Sequence, residues 1–413
     1  MKRRVVVTGL GLVTPVGNTV EESWSALVAG KSGAARIQRF DPSALEVQFA
    51  CEVKNFDASL YMDRKESKRY DRYAQYAIAA ASQAVEHAGL SGGFPLPERT
   101  GVVIASGIGG IGTFEEQCQI FLTKGPSRVS PFFVPMFIPD MAAGLVSMRY
   151  GLMGPNYCTV SACASSAHAI GESYRLIADD DADAMVAGGA EAAITPLAIS
   201  GFANMKALST RHDAPQVASR PFDKDRDGFV MGDGAGVVVL EELEHAKRRG
   251  ATIHGEVVGY GMSADAYHMT QPAPEGKGAQ LAMRGALKDA GVAPDQVGYI
   301  NAHGTSTPHG DVAETLAVKA VFGDHARKLV FGSTKSMTGH LLGATGGLEY
   351  AICTLVIARG VIPPTINQFT RDPECDLDCA PNRAVERHVD VAMSNSFGFG
   401  GHNVSLIARR FRD

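Results

Sequence analysis

Short β-branched runs and longer alanine-rich stretches alternate along the whole chain, and that alternation admits few folds. Residues 4–8, 101–105, 184–187, 236–240, 297–301 and 329–332 read as strands. Residues 73–87, 164–178, 278–290 and 346–358 read as helices. Strands separated by helical stretches predict an α/β fold in layers. At 413 residues the chain exceeds one ordinary core, which predicts two domains or a fused double domain.

An internal echo sharpens this. Ala84-Val85-Glu86-His87-Ala88-Gly89-Leu90 resembles Ala286-Leu287-Lys288-Asp289-Ala290-Gly291-Val292, and each stretch is followed shortly by a predicted strand. Helix-Ala-Gly-strand is also a common phrase, so the echo alone leaves chance open. The expectation is two similar halves, 1–250 and 251–413, sharing one packed interface because no low-complexity linker separates them.

Hydrophobic content of 45% and charged content of 20% describe an ordinary globular chain without a disordered arm. A formal net charge of −5 argues against general nucleic-acid binding. Seven cysteines, odd in number and irregular in spacing, suggest a reducing compartment. The opening Met1-Lys2-Arg3-Arg4 leads to Val5-Val6-Val7, which Thr8 and Gly9 break, so no secretory apolar region follows. No apolar run approaches the roughly 18 residues of a membrane span. The expected location is cytoplasmic.

Three motifs look informative and fail. Gly107-Ile108-Gly109-Gly110-Ile111-Gly112 matches a dinucleotide fingerprint, but no acidic residue closes a second strand about 20 residues on. Asp223 to Gly228 opens like a calcium loop, yet Gly234 stands where a bidentate Glu belongs. Cys375 and Cys379 lack a second ligand pair for zinc.

Cys163 lies in Val160-Ser161-Ala162-Cys163-Ala164-Ser165-Ser166-Ala167-His168, between a strand-like stretch and a helix. The small neighbours permit a sharp turn like a nucleophile elbow. The helix N-terminus is expected to lower the thiol pKa. Taken alone, such a Cys is more often a buried structural thiol. Its company changes the reading. His303 in Asn301-Ala302-His303-Gly304-Thr305-Ser306-Thr307 follows a predicted strand, where α/β proteins concentrate their sites. His340 in Lys335-Ser336-Met337-Thr338-Gly339-His340 repeats the pattern. A thiol carries acyl groups, and two imidazoles polarise carbonyls. The set suggests carbon–carbon bond formation between thioesters.

With these motifs, the chain resembles the β-ketoacyl-[acyl-carrier-protein] synthases, condensing enzymes of the thiolase fold, and is most similar to the elongating type called synthase II. The resemblance runs from Val6-Val7-Thr8-Gly9-Leu10-Gly11 to Asn395-Ser396-Phe397-Gly398-Phe399-Gly400-Gly401, through Thr159 to His168, Arg220-Pro221-Phe222-Asp223 and Arg226-Asp227-Gly228-Phe229-Val230. It implies duplicated α/β halves in α-β-α-β-α layers, the first carrying the cysteine and the second the histidines.

The resemblance also implies roles. Cys163 would take the acyl chain from its carrier. His303 and His340 would bind the malonyl thioester carbonyl and promote loss of CO2. Lys335 would orient the site with Glu349. The backbone N–H groups of Cys163 and Phe399 would form a second oxyanion hole, and Phe399 would gate the cysteine. Ile108, Phe202 and Leu342 would line an acyl tunnel, although core packing explains Ile108 and Phe202 nearly as well. Thr305 and Thr307 would hold the pantetheine arm. Cys-His-His matches elongating members, whereas initiating members carry Cys-His-Asn and thiolases use a second Cys. His402 and Asp233 are small departures from the usual pattern.

The partner implied is an acidic acyl carrier protein. Arg64, Lys65, Lys68, Arg69 and Arg72 cluster before a helix, and Lys206 is a further docking candidate; such a run is otherwise a solvated face. A homodimer is implied. No redox cofactor or catalytic metal is required, and a structural monovalent cation is implied near Asn301, Ser394 and Asn395. Two rivals remain: a tunnel-shaping subunit without the reaction, and a cysteine hydrolase needing only one histidine.

Overall fold

Ten strands form one sheet, and four short ones form two separate pairs; this computed structural model describes residues 2–413. In chain order the strands are β1 (Val5–Val13), β2 (Thr100–Ala105), β3 (Asn156–Tyr157), β4 (Ala184–Glu191), β5 (Gly234–Glu242), β6 (Gly255–Ala264), β7 (Tyr299–Asn301), β8 (Val330–Gly332), β9 (Val391–Gly398) and β10 (His402–Arg409). The helices that matter for the site are α1 (Arg72–His87), α2 (Ile111–Lys124), α3 (Met141–Tyr150), α4 (Ser165–Ala178), α5 (Pro196–Asn204), α6 (Lys277–Ala290), α7 (Pro308–Phe322) and α8 (Thr345–Arg359).

Across the sheet the order is β8-β7-β9-β10-β6-β1-β5-β4-β2-β3, two five-strand runs of the same pattern meeting at β6 and β1. In the first run, β1 is antiparallel to β5 and β5 to β4, while β4–β2 and β2–β3 are parallel. The second repeats this with β6, β10, β9, β7 and β8. A short antiparallel pairing of Val5, Val6 and Val7 with Val257, Glu256 and Gly255 joins them.

Alternating strand residues feed separate cores, as the two-residue period of a strand requires. Val102, Ile104, Val237 and Val239 pack with α1 and α3. Their neighbours Val103, Ala105, Val238 and Leu240 turn the other way, onto α4 and α8. Ile300, Phe331, Met393 and Ile407 pack with α6 and α7 in a third core. The result is the expected α-β-α-β-α layering. Helix α8 is buried from Thr345 to Ile357, and its apolar composition all round fits that central place.

Glycine explains how the outer helices sit so close. A Cβ on Gly9 or Gly11 of β1 would lie 2.1 Å or 1.8 Å from the carbonyl oxygens of Ala84 and Ala80 in α1. Gly259 and Gly261 of β6 stand in the same relation to Ala286 and Ala282 of α6, at 2.4 Å and 2.1 Å. The echo between residues 84–90 and 286–292 therefore marks two equivalent helix-on-strand contacts.

Helix boundaries fall within a residue or so of those read from sequence, but the strands differ. Strand β1 continues past Thr8 to Val13, because its glycines serve close packing rather than a turn. Strands β6, β9 and β10 were not among the expected strands. Their glycines and buried polar residues disguise the two-residue period. Among the described residues, no helix is long and apolar enough to cross a membrane.

Candidate active site

The cysteine sits on a tight turn between β3 and α4. Ala162 has φ 51°, a left-handed conformation that non-glycine residues rarely adopt. The Ser165 hydroxyl braces the turn, accepting from Ser161 N at 2.9 Å and donating to Ala162 O at 2.6 Å. Gly398, at the end of β9, leans against it: a Cβ there would stand 2.8 Å from Ser161 O and 3.0 Å from Cys163 N.

Cys163 is buried one residue before Ala164, the N-cap of α4. The expected lowering of its pKa does not prevail. Burial pushes the thiol up to about 12, against the pull of Lys335 and of the backbone N–H groups of Phe399 and Cys163 itself. The resting group is a thiol, because removing a thiolate from water costs more than these donors return.

His340 is its direct neighbour. Nε2 lies 2.9 Å from Cys163 Sγ, and Nδ1 lies 3.0 Å from Thr345 Oγ1. Gly339, at φ 66°, turns the chain so that His340 N can donate to Val230 O at 2.8 Å. His303, half-buried after β7, is oriented through its backbone. Its N–H and that of Gly304 donate to the Glu314 carboxylate of α7 at 2.9 Å and 2.8 Å. The imidazoles meet edge to face, with ring centroids 5.3 Å apart. Burial, then the nearby Lys335 charge, pushes both histidines well below the usual range, so both are neutral at physiological pH.

One ligand-capable atom from each of Cys163, His303 and His340 lies within 4.8 Å of the others. A zinc ion between Sγ and Nε2 needs bonds of about 2.3 and 2.0 Å. The 2.9 Å contact is a hydrogen-bond distance and must open to admit one.

Lys335 and Glu349 lie behind the histidines, both buried, with Nζ 2.6 Å from Glu349 Oε1. Burial pushes the Glu349 carboxyl up to about 8 despite that ammonium. Glu349 Oε2, Asn301 Oδ1 and Ser394 Oγ are buried without a hydrogen-bond partner. Three orphaned oxygens are the donor chemistry a monovalent cation takes. Asn395 is already engaged, donating to Glu314 at 3.1 Å and accepting from Ser405 at 2.8 Å.

A cavity of about 480 Å³ runs past Cys163, His303, His340 and Phe399. Ile108, Phe202, Leu342, Thr305, Thr307 and Lys206 all line it. The Thr305 and Thr307 hydroxyls are 3.1 Å apart. The Phe399 ring stands 6.3 Å from that of Phe202, and Gly400 and Gly401 beside it have φ 85° and 75°. Lys335 acts from behind the wall. Lys65, Lys68 and Arg69 are exposed but outside the lining, and Arg69 covers the Phe132 ring at 4.7 Å. Lys206 alone of the docking candidates reaches the cavity, paired with Glu46 at 2.8 Å.

Glu314, Thr345 and Phe229, whose ring meets that of His340 edge to face at 5.5 Å, escaped the sequence reading. Glu314 left a faint signal, an acid on the same buried helix face as Ala317, Val318 and Val321. The Asp223 loop proves to be a brace, with Asp223 buried and accepting from Phe369 N and Thr370 N at 2.7 Å each.

The model of the beta-ketoacyl synthase N-terminal domain matches residues 2–246, and that of the C-terminal domain matches residues 254–369. The chain belongs to the beta-ketoacyl synthase family. A relative in Synechocystis sp., 3-oxoacyl-[acyl-carrier-protein] synthase 2, is 54% identical, covering 100% of this chain and 99% of the relative. The crystal structure of a beta-ketoacyl synthase from Burkholderia phymatum superposes with TM-score 0.92 at 39% identity, covering 99% of this chain and 100% of the other. One chain in the solved structure of a type II PKS acyl-carrier protein in complex with its ketosynthase superposes with TM-score 0.90 at 35% identity and full coverage of both chains. In this beta-ketoacyl synthase the thiol comes from the first five-strand run, and both imidazoles come from loops of the second.

Proposed function

We infer that the chain elongates acyl groups on an acyl carrier protein by decarboxylative Claisen condensation, as its synthase 2 relatives are named for. The observation that carries the residue roles is the 2.9 Å contact of Cys163 Sγ with a neutral His340, beside His303 on one cavity.

The acyl thioester enters first. Cys163 sulfur attacks its carbonyl while His340 Nε2 accepts the thiol proton, and the carrier thiolate leaves with a proton in return. Burial keeps the thiolate from standing free, so proton and acyl transfer go together. The N–H groups of Cys163 and Phe399, which pull the thiol pKa down against burial, hold the carbonyl oxygen as it gains charge. Malonyl carrier protein then binds with its thioester oxygen between the imidazoles. In acylation Nδ1 carries the proton and donates to the Thr345 hydroxyl; once the sulfur is acylated His340 takes the other tautomer, with Thr345 donating to Nδ1 and the proton on Nε2, so His340 and His303 both donate to the developing enolate. The carboxylate departs as CO2, leaving its bonding electrons on the α-carbon. That carbon attacks the Cys163 thioester, the C–S bond breaks, the sulfur takes the Nε2 proton of His340 while solvent returns one to Nδ1, and the 3-oxoacyl carrier leaves with two more carbons.

Lys335, held by Glu349, positions this pair through its charge and its contact with Ala302 O at 3.4 Å. A monovalent cation would engage Asn301, Ser394 and Glu349 oxygens and serve only to hold that polar layer. Phe399 gates the thiol on its glycine-flanked turn. Ile108, Phe202 and Leu342 face the acyl chain, and Thr305 and Thr307 face the pantetheine arm. Lys206 at the mouth, with Lys65, Lys68 and Arg69 on the surface, receives an acidic carrier. Halves 1–250 and 251–413, a homodimeric state and a cytoplasmic location complete the reading.

The test is labelled-CO2 release from malonyl carrier protein, with and without an acyl primer, in wild type and Cys163→Ala. Primer-dependent release with 3-oxoacyl product, lost in the mutant, is expected. No release from either protein would overturn the reading. A hydrolase needs only the histidine beside the sulfur and would instead retain activity in His303→Ala.

A further inference from the structure

Behind the acyl side of the cavity lies a carboxylate that the reaction does not use. Glu191 ends β4 and is fully buried. It accepts four hydrogen bonds: from Ser106 Oγ at 2.8 Å, Gly107 N at 2.7 Å, Ile108 N at 3.2 Å and Gly343 N at 3.0 Å. Three donors belong to the loop that leaves β2, and the fourth to the loop after His340. The two loops do not otherwise share a strand or helix.

The residues so tethered carry the wall. Ile108 and Leu342 both line the cavity and pack in one apolar cluster with Phe202 and Ile199. Leu342 is held at φ 48°, and Gly109 at φ 72°. Between the loops there is no spare room. A Cβ on Gly343 would stand 2.2 Å from Gly107 N and 2.7 Å from Glu191 Oε2. A Cβ on Gly107 would stand 2.8 Å from the same oxygen. The glycine-rich run that resembles a dinucleotide fingerprint therefore wraps a carboxylate of its own chain. Ser106 extends the brace, since its hydroxyl also accepts from Gly109 N at 2.9 Å.

We propose that Glu191 is a positioning residue that sets acyl-length selectivity, by pinning the Ile108 and Leu342 backbones together as one wall. This rests on the condensing-enzyme reading. With both backbones fixed, a longer chain is accommodated only by side-chain rotation at Ile108 and Leu342, not by parting of the loops. Four donors converge on one acceptor, so Glu191→Gln puts an NH2 group against N–H groups and forces the loops apart.

The experiment compares wild type, Glu191→Gln, Glu191→Asp and Ser106→Ala in condensation with a short-chain and a long-chain acyl-carrier primer. Primer-independent malonyl decarboxylation is followed in parallel. Glu191→Gln should change the long-to-short ratio of kcat/KM by about tenfold in favour of the long primer, the scale of a methylene-sized change in an apolar pocket. Ser106→Ala, which keeps the carboxylate, should shift the ratio the same way but less. Decarboxylation, which uses the histidine side, should be unchanged. A ratio equal to wild type in Glu191→Gln, or an equal fall in all three reactions, would overturn the proposal. If Glu191→Gln does not fold, the ratio in Ser106→Ala and Glu191→Asp decides in the same way. Absence of condensation in wild type would instead overturn the function itself.

Discussion

The loop leaving β3 and the loop leaving β8 occupy equivalent places in the two five-strand runs, and each leads into a central helix, α4 or α8. The first delivers one sulfur on a tight turn. The second delivers a buried lysine and then a histidine, separated by a short helical turn at Lys335–Thr338. The loops leaving β2 and β7 differ in the same way: one presents Ile108 to the cavity, the other His303. One run thus supplies the sulfur with Ile108 and Phe202 of the apolar wall, and the other supplies Leu342 and the polar groups. A repeated scaffold fixes where loops converge, while loop composition decides what they do there.

The largest effect should come from breaking this division directly. His303→Ala removes one donor to the enolate, and decarboxylation should fall by about 10²–10³-fold. Single-turnover acylation of Cys163 should survive. His340→Ala should slow both, because its Nε2 is the group 2.9 Å from the sulfur. Rapid quench with labelled acyl and malonyl carriers separates the two steps. Equal loss of acylation in both mutants would mean that the runs do not divide the labour.

Breaking the support of the second run comes next. Lys335→Ala leaves Glu349 buried without its partner and should cost about 3 kcal/mol of stability in urea unfolding. The cost should shrink as pH falls below about 8, where Glu349 takes up a proton. A loss no greater than for an exposed lysine would show that the pair does not hold the site.

A smaller effect concerns the surface. The docking cations belong to the first run, and Lys206 sits on the cavity beside Glu46. Carrier affinity should weaken at about 0.5 M salt, where the screening length falls to roughly 4 Å. Lys206→Glu should weaken it further while leaving its salt slope shallower. Fluorescence anisotropy of labelled carrier reads both. Salt-independent affinity would place docking elsewhere.

What the sequence made legible follows from the same contrast. Cys163, His303 and His340 stood out because each sits among small residues at the end of a strand-like run, and the structure brings the three together. Helix α1 and its counterpart α6 showed as an echo because both need alanine where a glycine-bearing strand packs closely. The polar layer was harder to see. Glu191 and Glu314 look like ordinary acids until the backbone N–H groups that surround them are known, and those come from loops distant in sequence. Strands β9 and β10 escaped for a related reason: Ser394, Asn395, Ser396 and Ser405 are buried, so the apolar alternation that betrays a strand is broken. The thiol pKa was misjudged because a helix N-terminus is visible in sequence, whereas complete burial is not.

The smallest expected effect lies in the pH dependence of stability. Burial pushes the Glu191 and Glu314 carboxyls up to about 7 from the ordinary 4.5. The folded chain therefore binds these protons more tightly than the unfolded one. Their contribution to stability is fully present below pH 4.5 and is lost as pH rises through about 7. The buried histidines act in the opposite sense. His303 and His340 are held well below 6.5, so the unfolded chain takes up their protons first, and their contribution grows as pH rises to that value. The two sets oppose each other in acid, but above the ordinary histidine range only the carboxyls still titrate. The urea midpoint should therefore decline as pH rises from 7 toward 8. Glu191→Gln, which carries no titrating proton, should flatten that decline without removing it, because Glu314 and Glu349 remain. A midpoint that rises over the same interval would mean that the converging N–H groups outweigh burial and hold both carboxylates ionised throughout.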